Sequence, residues 1–240
     1  MSLEKYSSPL ELPTWMALIE QPVSLTDVEL RKKQIHRIYS VKAGLKSILV
    51  KANLRADATY FFESDPSITK IEVRPATVPL KAKGRKKIVM DFNVRYRNGN
   101  EELILMAYSN KENASNDNEK EPSCWSAVQT CCRAAGRNSR FITDEELKQA
   151  KYSITNQRRL LPLVRISKVD PRPDIAVCVL EAVLHNDSVS VNELRSIVPG
   201  KYIPRVEVEV ADLLHRGRIK AQLNEKIFNL NSPLKGAVDG

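Results

Sequence analysis

The residues with types suited to metal-assisted chemistry are acidic. Asp91 is the lone carboxylate of the hydrophobic stretch Met90-Asp91-Phe92-Asn93-Val94, with Glu63 upstream and Glu101 and Glu102 downstream. Cleaving a phosphodiester with Mg²⁺ requires hard oxygen ligands to hold the ion. It also requires a group that orients or deprotonates water and a cation that steadies the developing charge. Glu63, Asp91 and either Glu101 or Glu102 would be the ligands of such a site. The simpler reading makes Glu63 a solvated charge before the Asp65-Pro66 turn, and Glu101 and Glu102 solvated charges beside the Asn98-Gly99 turn. Asp91 by itself does not hold Mg²⁺ tightly, because magnesium keeps its waters unless several carboxylates converge.

Other chemistries have less support. His36, His185 and His215 have no serine or cysteine pattern near them, and no G-x-x-x-x-G-K-[ST] phosphate loop is present. Cys124, Cys131, Cys132 and Cys178 lack the paired C-x-x-C spacing of a zinc site and read as reduced thiols, consistent with a cytoplasmic protein. No apolar run approaches the roughly 18–20 residues of a membrane span. The polar, proline-bearing N-terminus does not read as a secretory signal.

The chain has 240 residues and a formal net charge of +9. Residues 1–110 hold 18 Lys/Arg against 12 Asp/Glu, residues 111–170 hold 11 against 8, and residues 171–240 hold 9 against 9. The excess lies in the first 170 residues, which points to a polyanionic partner such as double-stranded DNA. The expected DNA surface is the basic turn Lys81, Lys83, Arg85, Lys86 and Lys87, with Arg31, Lys32, Lys33 and Arg37. Such contacts position a protein on phosphates without reading bases, and they weaken steeply with salt.

The elements that must carry these residues follow from periodicity and turn chemistry. Residues 1–30 read as an extended lead-in. Apolar residues recur at three and four from Leu45 to Phe62, a helical spacing, and Asp65-Pro66 ends it. Strands are expected at Ile68–Val73, Thr77–Leu80, Ile88–Arg97 and Glu102–Tyr108, the last two joined through Asn98-Gly99. Residues 109–122 read as a surface loop. Helices are expected over Trp125–Ala135 and Ile154–Ile166, with a short strand ending at Phe141-Ile142-Thr143 and Thr143 capping the next helix. Asp170-Pro171-Arg172-Pro173 reads as a linker between domains 31–170 and 171–240. Beyond it, helices over Ile175–Leu184, Glu193–Val198 (capped by Asn192) and Arg205–His215 precede a hairpin of Ile219–Leu223 with Ile227–Leu230, the pattern of a winged helix. The last of these helices carries Glu207, Glu209 and Asp212, which would repel phosphates and favour docking of protein instead.

Four stretches carry a resemblance. They are His36-Arg37-Ile38-Tyr39-Ser40 with Lys42 and Gly44; Phe62 to Pro75; Met90 to Val94 with Asn98-Gly99; and Phe141-Ile142-Thr143-Asp144-Glu145-Glu146. Together they span about 36–146 and resemble the TnsA-like family, the endonuclease subunits of heteromeric transposases. The resemblance implies an α/β fold, a restriction-endonuclease-like mixed sheet with flanking helices, followed by a C-terminal winged-helix domain. It puts the family's catalytic aspartate at Asp91 and its Gln/Glu-x-Lys at Met106 and Tyr108, and its helix glutamate falls near Arg55. A thioether, a phenol and a guanidinium neither ligate Mg²⁺ nor replace the lysine. The expectation is therefore a nuclease-dead DNA-binding protein of a mobile element, without cofactor. A transposase and an AAA+ regulator are partners implied by the resemblance alone. An atypical Mg²⁺-dependent endonuclease and a DNA-binding transcriptional regulator are the alternatives.

Overall fold

The computed structural model describes residues 18–30, 34–79, 87–109 and 125–237. A short helix, Asp27–Leu30 (α1), precedes the antiparallel strands Ile35–Ser40 (β1) and Lys46–Lys51 (β2). Gly44 at φ 88° and Leu45 at φ 59° carry the turn between them. Asn53–Ser64 is α2. The helix expected over 45–62 is thus a strand running into a helix. Ile48 and Val50 are buried while Leu49 faces out, a period of two that the coincident three–four spacing conceals.

Ile68–Val73 (β3) and Thr77–Pro79 (β4) follow, and the single strand expected over 88–97 divides into Lys87–Val89 (β5) and Phe92–Tyr96 (β6). β5 pairs with β4, whereas β6 pairs with β3 and with Glu101–Ala107 (β7). The chain changes partners at Met90-Asp91, where Met90 N donates to Ala76 O and Asp91 N to Ile104 O, at 2.9 and 2.8 Å. Trp125–Ala134 (α3) leads to Asn138–Thr143 (β8), which lies parallel to β7. The central sheet is therefore mixed, in the order β3-β6-β7-β8. Asp144–Gln149 (α4) opens on Thr143, whose side chain accepts from Glu146 N, as expected. Lys151–Val169 (α5) continues it.

α2 covers one face of this sheet: Phe62, Ala58 and Leu54 are buried with Ile71, Phe92, Val94, Ile104, Met106 and Ile142. A second cluster joins Met90, Leu103 and Leu105 to Val128, Cys131 and Cys132 of α3. Burial raises the pKa of both of these thiols. Cys124 lies outside the described residues, and Cys178 is half-buried.

The C-terminal helices are Pro173–Leu184 (α6), Val191–Ile197 (α7) and, after a 3-10 turn at Gly200–Arg205, Val206–His215 (α8). Ser190, rather than Asn192, caps α7: its hydroxyl accepts from Glu193 N and the Glu193 carboxylate accepts from Ser190 N. The expected hairpin is also different. Ile219–Lys220 (β9) pairs with Lys235–Gly236 (β10), and residues 227–230 form no strand. The intervening chain is held by Asn156 of α5, which donates to Leu223 O and Lys226 O and accepts from Phe228 N, at 2.8, 2.9 and 2.8 Å. Ile154 of α5 packs in the sheet core, while Leu160 and Val164 pack with α6 and α8. One helix thus enters both cores on either side of the expected boundary. No helix among the described residues is long and apolar enough to cross a membrane.

Candidate functional site

Asp91 sits where β5 ends and β6 begins, 6 % exposed. Both carboxylate oxygens are engaged: Oδ1 accepts from Arg55 Nε at 2.5 Å and Oδ2 from Met106 N at 2.8 Å. Its backbone is equally committed, since Arg74 N donates to Asp91 O at 2.8 Å. Arg55 and Met106, two of the positions that the resemblance aligned with metal ligands, therefore do contact Asp91, but as donors. A guanidinium repels a divalent cation, and a backbone N–H offers it nothing. These residues do not fit Mg²⁺.

Tyr108 packs against the sheet core and lines a groove of about 530 Å³ with Asp57, Asp144, Lys148 and Arg158. Asp57 there is paired with Arg158, and Asp144 with Lys148.

Glu63 is not the solvated turn charge expected. It is 2 % exposed at the far end of α2. Eight residues along a helix is about 12 Å of rise, so Glu63 lies two turns from the residue that grips Asp91. Its Oε1 accepts from the Ser40 hydroxyl and from Lys42 N, and its Oε2 lies 4.0 Å from His215 Nε2 on α8. Burial raises the Glu63 pKa, against the pull of Ser40 and Lys42. Lys42 Nζ donates to Phe62 O and Asp65 O, satisfying carbonyls at the C-terminus of α2. Burial lowers its pKa to about 8. His215 is driven down to about 4, first by burial and then by Lys42 and Lys168. Ser40, Lys42 and Gly44, which the sequence marked as one motif, here hold α2 and turn a hairpin.

Glu101 and Glu102 are likewise bound in place. Glu101 accepts from Arg95, Arg137 and Asn93, which lowers its pKa, and Glu102 accepts from the Tyr96 hydroxyl. Among the described residues no group of three or more His, Cys, Asp or Glu could hold a metal ion.

Of the expected DNA-binding residues, Arg37 is exposed on β1 and Lys87 is exposed at the start of β5, strands of separate ladders. Arg31, Lys32, Lys33, Lys81, Lys83, Arg85 and Lys86 lie outside the described residues. The acidic docking face expected on α8 is not a surface. Glu209 and Asp212 are each 1 % exposed. Glu209 pairs with Arg205, and Asp212 is flanked by Lys168 and Arg216 at 2.7 and 2.6 Å. Their i,i+3 spacing turns them toward α5, where Lys168 and Ser167 wait. Glu207 remains half-exposed, paired with Arg195.

Neither Arg55 nor His215 was recognised from sequence as a partner of a carboxylate, because the contacts cross 36 and more residues. The only advance signal was Arg55 falling close to where the family places a glutamate. The chain matches no protein-family model, and no curated protein matches it.

Proposed function

We propose that the chain is a TnsA-like DNA-binding protein of a mobile element that has lost nuclease chemistry and bridges DNA to transposition partners. One observation carries this reading: the aspartate that would anchor a catalytic metal is neutralised by Arg55 and capped by Met106 N. The mixed sheet with α2 on one face and α3 on the other is compatible with a restriction-endonuclease-like body. A winged-helix reading of residues 171–240 draws support from topology. Three helices precede the β9–β10 ladder, and the bridge between Val189 and Leu234 brings the α6–α7 connection alongside β10. The wing then spans the whole segment between β9 and β10 rather than a tight hairpin.

The double-stranded DNA partner rests on the basic excess of residues 1–170. An AAA+ regulator and a transposase remain implied by the resemblance. Supercoiled plasmid incubated with the protein and Mg²⁺ or Mn²⁺ should stay uncut, while a labelled duplex should bind with an affinity that falls steeply as salt rises. Metal-dependent nicking that disappears in Asp91→Ala would replace this reading with the endonuclease alternative.

A further inference from the structure

A groove of about 540 Å³ opens between β1, α2 and α5, far in sequence from the basic turn at 81–87. Beside Arg205, which is paired with Asp170 and Glu209, its other cations come from separate elements, Arg37 from β1 and Arg165 from α5. Neither makes an ion pair among the described residues. Arg165 lies over the Tyr39 ring, 5.7 Å from its centroid, and Tyr60 forms another wall. Asp170, the acidic member of the lining, is already bound by Arg205 at 3.2 Å. Buried Ile38 and Leu161 form the floor. The rim is apolar and open: Ile166 is 44 % and Val169 75 % exposed.

Two unspent guanidiniums alone would suit any phosphate. An aromatic wall and exposed aliphatic rim beside them are of no use to a duplex, whose bases are stacked inside and whose phosphates meet flat basic surfaces. They suit a base that has left its stack, and the volume is in the range of sites that enclose small molecules. We propose that this groove takes an unpaired nucleotide of single-stranded DNA, its phosphate on Arg37 and Arg165 and its base against Tyr60, Ile166 and Val169. Base stacking and guanidinium contacts of this kind are the usual means of holding single strands. The inference rests on the DNA-binding reading above and specifies the form of DNA this surface meets.

Fluorescence anisotropy of the full chain tests it, with a labelled 20-nucleotide oligo-dT and a 20-base-pair duplex as probes. The single strand should bind at least about tenfold more tightly than the duplex at equal salt. Arg165→Glu, and separately Val169→Glu, should each weaken single-strand binding about tenfold. Duplex affinity should change less than about threefold. Both side chains are exposed, so thermal unfolding should be unaltered and the loss attributable to the groove. Duplex binding equal to single-strand binding, or variants that bind oligo-dT like the parent, would sink this inference and leave the DNA-binding reading standing. Binding of neither probe would overturn both, and capture of an acidic peptide instead would reassign the groove.

Discussion

Arg55 Nε lies 2.5 Å from Asp91 Oδ1, so the first turn of α2 is tied to the crossing point between β5 and β6 by a largely buried ion pair. The pair closes the carboxylate to any cation while satisfying it. Removing one partner would leave a buried charge behind. Arg55→Met should therefore lower stability by about 3 kcal/mol in urea denaturation. Asp91→Asn should cost less, because the amide still accepts from Met106 N and Arg55, itself 19 % exposed, can turn to water. Equal losses in the two variants would mean that Asp91 is not sustained by Arg55.

Acid should loosen the contact between α2 and α8. His215 is surrounded by Lys42, Lys168 and Arg216, with Asp212 and Glu63 opposing them, and is held to about 4. The unfolded chain takes up this proton near pH 6.5 and the folded chain does not until about 4. Stability should fall as pH drops through that window, by up to about 3 kcal/mol from this group, and the group contributes nothing above pH 7. Glu63 acts in the opposite sense. Its raised pKa stabilises the fold below the ordinary carboxylate range, and that contribution fades as pH rises through its folded value. His215→Gln should flatten the pH dependence between 6.5 and 4; an unchanged slope would place the acid sensitivity elsewhere.

Asn156 is fully buried and makes three hydrogen bonds to the backbone of the segment between β9 and β10. Asn156→Ala should cost about 3 kcal/mol, since two carbonyls and an N–H lose their partner together. Hydrogen exchange should accelerate in residues 221–234 before it does in the central sheet. Uniform acceleration would show that this segment does not depend on α5.

Ala52 sits at the entrance to α2 with φ 69° and ψ 151°, a region that side chains other than glycine rarely enter. Ala52→Gly should raise stability by about 1 kcal/mol, the relieved strain exceeding the loss of a buried methyl and the added freedom of the unfolded chain. A fall in the thermal midpoint would mean that the methyl's packing outweighs the strain.

Much of the local architecture was legible in the residues. Asn98-Gly99 set the β6–β7 turn, with Gly99 at φ 86°, and Thr143 set the start of α4. The returning strand after Asn98-Gly99 and the apolar runs of α6 and α8 announced their elements. These features depend on neighbours within a few positions, so local sterics and hydrogen bonding suffice to specify them. The failures share a cause. Residues 45–51 satisfied two periodicities, and only pairing with β1 chose the strand. Asp91 interrupts what read as one strand because β4 claims one half and β3 and β7 the other.

The chain also shows that Met106, Tyr108 and Arg55 stand where the resemblance would put the remaining residues of a metal site around Asp91. Which charges would be hidden it does not show. Glu63, Glu209 and Asp212 looked like surface carboxylates, as most are. They are buried because compensating donors arrive: Ser40 and Lys168 from far along the chain, and Arg205 from one turn before Glu209. Burial of charge is decided by partners, and partners are supplied by the tertiary arrangement.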